Sequence, residues 1–163
     1  MELNYNVDCG FSSENLWFRY RAAAIIIEDE LVLVASNDVS NYFYSVGGAV
    51  HIGEKAEDAV VREVFEETGI KYEVDRLIVI HENFFMGDNL TADKYCHEVA
   101  FYFLMKSKGH KNLNSNSECL YGKEYMNWIA IDDLKNHTVY PTFLSEVLTT
   151  LPKDVRHIIT KEY

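Results

Sequence analysis

Basic residues are scarce: 15 Lys and Arg stand against 26 Asp and Glu, a formal net charge of −11 over 163 residues. A global cationic footprint for duplex DNA or RNA is therefore absent, although a single nucleotide carried in with a metal ion remains compatible. Part of the acid excess is an ordinary solubility device. Proline is scarcer still, with Pro141 and Pro152 alone, and no internal repeat or low-complexity linker interrupts the chain. A single domain over residues 1–163 is expected. The three cysteines, Cys9, Cys96 and Cys119, form no CxxC pair and cannot all pair with one another. They read as reduced thiols of a cytoplasmic protein. Residues 1–15 carry Glu2, Asp8 and Glu14 and no basic n-region, which argues against a signal peptide. The longest apolar runs, near residues 22–27 and 99–105, are strand-sized, so no membrane span is expected.

What is present reads as a globular α/β or α+β chain, with 48% apolar and 25% charged residues. Residues 21–28 and 31–34 predict two buried strands joined by a tight turn at Asp29-Glu30. Residues 42–46 predict a short aromatic strand leading into Gly47-Gly48. From about residue 55 to 68 the pattern turns helical, and Gly69 is placed to end the helix. Strands are expected over 72–82, 95–105 and 125–131, separated by polar loops at 86–93 and 106–122. Asp132-Asp133-Leu134 looks like a helix start. Residues 141–151 read as a C-terminal helix with Pro141 near its first turn. Residues 152–163 give no assignable pattern, and residues 1–15 read as an N-terminal extension.

Chemistry concentrates in residues 54–67, where six acids and two bases fall within 14 positions. On a helix turning about 100° per residue, Glu66 lies about 60° to one side of Glu63 and Glu67 about 40° to the other. Three carboxylates therefore share one face. Their repulsion needs counter-charge, proton uptake or a bound cation. Hard oxygen donors beside a glycine pair that lets backbone approach a ligand suit Mg²⁺ or Mn²⁺ with a phosphate. A solvated acidic face with Arg62 and Lys55 as ordinary partners is the competing reading.

The whole pattern is more specific than the charge cluster. Gly48, then Glu54, then Arg62-Glu63-Val64-Phe65-Glu66-Glu67-Thr68-Gly69-Ile70 fills every specified position of the Nudix box. The chain thus resembles the Nudix hydrolases, and the order of strands, box helix, later strands and C-terminal helix agrees with that family. The resemblance implies an α/β/α sandwich around a mixed central sheet. It implies hydrolysis of a nucleoside diphosphate linked to another moiety X, with Mg²⁺ or Mn²⁺ as cofactor. By the same resemblance Glu66 and Glu67 would be metal ligands and Glu63 a ligand or a water-orienting group. The Gly48 carbonyl would complete the shell, Glu54 would assist it, and Arg62 would hold the glutamates through charge-assisted hydrogen bonds. The general base would be Glu63 or Glu98, the latter on the strand 95–105, where it could equally be an outward-facing residue. Two departures are visible: Ser45-Val46 stands where many members carry proline before the glycine pair, and His51 stands where many carry an acid.

On the substrate side, aromatic residues including Tyr42, Phe43, Tyr44, Phe84, Phe85 and Tyr140 could stack on a base, and Arg19 or Arg21 could meet phosphate. Arg21, Tyr44 and Phe84 are the named substrate contacts. Many ADP-ribose-cleaving relatives carry a further N-terminal domain that is not seen here, which favours a small nucleotide such as a nucleoside triphosphate. ADP-ribose, a nucleotide sugar, a dinucleotide polyphosphate or capped RNA stay open, as does a homodimer. A non-catalytic nucleotide sensor on the same fold is the reading of another class.

Overall fold

In the computed structural model, which describes residues 6–163, two sheets are sandwiched between helices. The first sheet is built on β2 (Leu16–Ile25), β8 (Tyr95–Met105), β7 (Val74–Met86) and β12 (Arg156–Lys161), adjacent in that order. Two short strands, β1 (Gly10–Ser12) and β6 (Gly47–Ala49), pair with successive stretches of β2. The second sheet contains β11 (Val139–Tyr140), β5 (Phe43–Ser45), β4 (Leu31–Asn37), β10 (Gly122–Ala130) and β9 (Glu118–Cys119), with β3 (Ile27–Glu28) folded back on β4. Both sheets are mixed. β2 runs parallel to β8, and β12 parallel to β7, while β7 and β8 are antiparallel; β11 runs parallel to β5 within an otherwise antiparallel sheet. The fold is therefore α+β, one of the two classes that the sequence left open.

Alternation along β2 decides which layer each residue joins. Ala23 and Ile25 enter a core with Val34, Val79, Tyr102 and Ile129, closed by Leu144, Val147 and Leu148 of the short helix α2 (Leu144–Thr149). Ala22, Ala24 and Ile26 face the opposite core, with Val46, Val50 and the helix α1 (Ala56–Thr68). Small alanines permit close approach here: a Cβ at Gly47, whose φ is +132°, would fall on the Ala22 carbonyl. At Val46 the chain leaves β5 in one sheet and enters β6 in the other. This crossing puts the glycine pair between the sheets and α1.

Helix α1 forms because Ala56, Ala59, Val60 and Val64 make a buried stripe. Full burial of each valine contributes roughly 1.5–3 kcal/mol. Gly69 ends it in the left-handed region at φ +71°, with its N–H donating to the Phe65 carbonyl. Glu57 and Asp58 suit the positive N-terminal end. The last turn holds no base, and Glu66 and Glu67 sit at the negative end, against the helix dipole. Stability alone does not select that placement.

Several expectations need correction. β2 begins at Leu16, earlier than the strand read from residue 21, because Leu16 to Tyr20 already pair in register with Tyr95 to Val99. Asp132-Asp133-Leu134 lies in a 3-10 turn, Ile131–Asn136, not an α-helix. The helix read over 141–151 is confined to Leu144–Thr149, since Val139 and Tyr140 pair with β5 and Pro141 follows that strand directly. The unassigned tail is a strand, β12. Within the expected N-terminal extension, β1 pairs with β2, while residues 1–5 lie outside the described residues. Among the described residues no helix is long and apolar enough to cross a membrane.

Candidate active site

The box residues converge where α1 meets the β5–β6 crossing. Arg62 is the organiser. Its Nε donates to Glu54 Oε1 at 2.9 Å and its Nη2 to Glu54 Oε2 at 2.8 Å, a bidentate pair. Nη2 also reaches the Ala49 carbonyl at 3.0 Å, tying α1 to β6. Nη1 donates to Glu63 Oε1 and lies 3.5 Å from Glu66 Oε2. Glu54 in turn accepts from the His51 N–H at 3.0 Å. His51, in place of an acid, thus serves the site through its backbone, and its ring lies 3.6 Å from Asp8.

Gly48 and Glu63 fit as a pair, because a Cβ at Gly48 would fall on the Glu63 carboxylate. Glu67 is 8% exposed; its Oε1 accepts from the Gly47 N–H at 3.1 Å, while its Oε2 is buried with no hydrogen-bond partner in the protein. The Glu66 side chain is 56% exposed. As the side chains stand, no group of three or more His, Cys, Asp or Glu among the described residues is arranged to hold a metal ion. Arg62 occupies part of the space among the carboxylates.

The electrostatics of the carboxylates bear on what the corner can hold. Burial pushes the Glu67 carboxyl well above its ordinary value, Glu124 adds to the effect, and Arg21 and the Gly47 N–H only partly oppose it. Burial likewise raises Glu63, against the pull of Arg62. Glu54 is held low, first by its hydrogen bonds from Arg62. Hard oxygen donors, an unpartnered buried carboxylate oxygen and a charge state that burial disfavours are what a divalent cation would relieve. The residues fit such an ion.

Beside this cluster lies a cleft between the two sheets, lined by Arg21, Tyr44, Ser45, His81, Asn83, Glu98 and Tyr140 among others. Arg21 is largely committed: its Nη2 donates to the Ser45 carbonyl at 2.6 Å and the Gly47 carbonyl at 3.1 Å, bracing the crossing that carries the glycines. Tyr44 lines the cleft, but its hydroxyl donates to Glu124 Oε1 at 2.6 Å. Glu98 is not an outward-facing strand residue. It is buried on the cleft face, with Arg19 Nε donating to its Oε2 at 2.8 Å. Burial opposes its ionisation, yet Arg19 and Arg21 hold its pKa below the usual carboxylate value. A carboxylate engaged in this way is a poor proton acceptor.

Phe84 is the clear correction among the substrate contacts. Strand alternation puts Asn83 on the cleft face and Phe84 on the opposite one, where it stacks on His97 with ring centres 4.3 Å apart and carries Lys161 over its ring. Phe85 and Trp17 share the cleft face instead, with ring centres 6.3 Å apart. Sequence reasoning also missed Glu124, His81, Asn83 and Thr160. The one available signal was the polar run His81-Glu82-Asn83 set between the apolar residues 77–80 and 84–86 of one strand.

The profile of the NUDIX domain matches residues 17–150. The chain belongs to the Nudix family. A mouse diphosphoinositol polyphosphate phosphohydrolase 2 is 39% identical to this Nudix chain over 70 residues, covering 40% of the chain and 39% of the relative. The Nudix chain thus spans about two fifths of the length of the curated relatives it matches. Among solved structures, a MutT protein from Methanosarcina mazei Go1 superposes with a TM-score of 0.62 at 17% identity, over 85% of this chain and 94% of that one. An ADP-ribose pyrophosphatase from Streptococcus suis 89-1591 gives 0.57 at 18% identity, over 87% and 98%. At these identities the likeness concerns the Nudix fold.

Proposed function

We propose that this Nudix chain is a divalent-metal-dependent pyrophosphohydrolase acting on a nucleoside diphosphate linked to X, with a small nucleotide such as a nucleoside triphosphate as substrate. The observation that carries the reading is the buried, unpartnered Oε2 of Glu67 beside Glu63 and the glycine pair. Glu63, Glu66 and Glu67 with the Gly48 carbonyl would hold Mg²⁺ or Mn²⁺. When bound, the ion supplies charge neutralisation of the pyrophosphate and a water of lowered pKa.

The remaining work falls to the chain. Arg62 fixes Glu54 and Glu63 in place and sets the distance between α1 and β6 through Ala49. Arg21 keeps the Ser45–Gly47 segment in position. Glu63 is the base candidate favoured here: each carboxylate has one oxygen bonded by an arginine, but Arg19 and Arg21 hold the Glu98 pKa below its ordinary value, whereas burial raises that of Glu63 against the pull of Arg62. Cys9, Cys96 and Cys119 are all free thiols, which suits the reducing cytoplasm.

The test is a panel of nucleoside triphosphates, ADP-ribose, nucleotide sugars, dinucleotide polyphosphates and capped RNA, with Mg²⁺ or Mn²⁺ and product identification. Release of phosphate, pyrophosphate or a nucleoside monophosphate is expected, and Glu66→Gln or Glu67→Gln should remove most of it. Unchanged turnover in both variants would overturn the assignment. Tight nucleotide binding without turnover across the panel would instead favour a sensor.

A further inference from the structure

The strand β12 lies beyond the residues that the NUDIX profile covers, yet it builds one wall of the cleft. Backbone pairing places Thr160 beside Asn83, Asn83 beside Glu98, and Glu98 beside Arg19. One polar row therefore crosses four strands. One step inward along the same face stand Ile158, His81, Ala100 and Arg21, followed by the apolar Val79, Tyr102 and Ala23. One step outward stand Phe85, Cys96 and Trp17. The face passes from core to polar to aromatic in successive rows.

A polar row at this depth costs free energy unless its groups find partners. Arg19 and Glu98 satisfy each other. His81, 1% exposed, meets Thr160 Oγ1 through Nε2 at 2.9 Å, but its Nδ1 is buried with no partner in the protein. Asn83 Oδ1 is likewise buried and unpartnered. Burial lowers the His81 pKa against the opposing pull of Glu98, which favours the neutral ring; that form accepts through one nitrogen and donates through the other. Net charge is small here. Arg19 neutralises Glu98, the Ser45 and Gly47 carbonyls hold Arg21, and Glu162 adds an acid. A polyphosphorylated ring finds no cationic match in such a wall.

We propose that Thr160 of β12, with His81 and Asn83 of β7, reads the hydrogen-bonding edge of an uncharged nucleobase and sets the substrate specificity of this cleft. The inference rests on the pyrophosphohydrolase reading above, and its test separates the two. The metal-free 163-residue chain is titrated with adenosine, guanosine, cytidine and uridine, followed by ligand-observed NMR; nucleosides avoid repulsion between phosphate and the box carboxylates. At least one base should bind about tenfold more tightly than the weakest. Thr160→Val, nearly isosteric, and Asn83→Leu should each shrink that ratio about fivefold or more, because lost hydrogen bonds to a buried edge discriminate strongly. If nucleoside triphosphates are turned over, the same variants should lose the preference mainly through KM. Thermal melting of each variant confirms that it folds. Equal affinity for all four nucleosides, no binding at all, or a preference preserved in both folded variants would overturn the inference. So would inositol hexakisphosphate binding more tightly than any nucleoside and weakening in the same variants. Discrimination lost in the variants without any turnover would support the pocket and sink the hydrolase reading alone.

Discussion

The box corner and the β7–β12 wall are both polar and both buried, but they are built in opposite ways. At the box, Arg62 engages Glu54, Glu63, Glu66 and the Ala49 carbonyl at once, and its groups come from one short stretch of chain. At the wall, residues from positions 81 to 160 meet only through strand pairing, and two of their buried atoms have no partner. The difference separates two demands. Chemistry at a metal requires particular oxygen donors held at fixed spacing, and a helix supplies that spacing locally. Recognition requires only that suitable groups share a face, which a sheet can draw from anywhere in the chain.

The sharpest break of this comparison is Glu67→Gln. It removes the carboxylate that burial disfavours, so turnover should fall by at least about 100-fold while the metal-free melting temperature holds or rises. A fall in both would mean that Glu67 is chiefly structural. Arg62→Ala strips several carboxylates of their partner at once and should cost about 2–4 kcal/mol in denaturant unfolding, with activity reduced as well. Gly48→Ala forces Glu63 to move and should lower kcat about 10-fold or more with little change in the unfolding midpoint; normal kcat would show that the Glu63 position is not critical.

A gentler probe is pH. Glu63 and Glu67 carry pKa values raised above the ordinary 4.5, so the folded state binds protons that the unfolded state has released. Metal-free stability should therefore decline as pH rises from about 4.5 through the raised folded values. Glu54 and Glu98, held low, act in the other sense, and their contribution disappears only as pH falls below 4.5. Millimolar Mg²⁺ should raise the melting temperature more at pH 7.5 than at pH 5. An equal increment at both values would count against the carboxylate site. The smallest effect is expected from Phe84→Ala: a stability loss of about 1–2 kcal/mol from its stacking, with KM for the best substrate changed less than about twofold. A large rise in KM would return Phe84 to the substrate site.

Legibility from sequence followed the same division. The box helix and its Gly69 terminus follow from a local period of about 3.6 residues, and both are present in the fold. The strands 95–105 and 125–131 were readable because their apolar content is dense. Phe84 was misplaced because a strand's two faces cannot be told apart until its partners are known, and one residue of offset reverses the answer. β12 escaped because its pattern, half exposed at a sheet edge, is too weak to stand out without β7 beside it. The pairing of Arg19 with Glu98 was not legible, since nothing in their separation announces that β2 and β8 are adjacent and parallel.

The position of β12 also bears on how the protein is made. As synthesis proceeds from the N-terminus, the box helix and its carboxylates are complete well before Thr160 leaves the ribosome. Until β12 arrives, the 13-residue β7 is an open edge of the first sheet, with unpaired backbone groups available to any passing strand. The strand that finishes the specificity wall thus also covers residues 79–84 of that margin with a six-residue edge strand carrying Arg156 and Lys161, and a nascent or nicked molecule lacking it would keep its acidic corner while exposing the longer, more apolar margin.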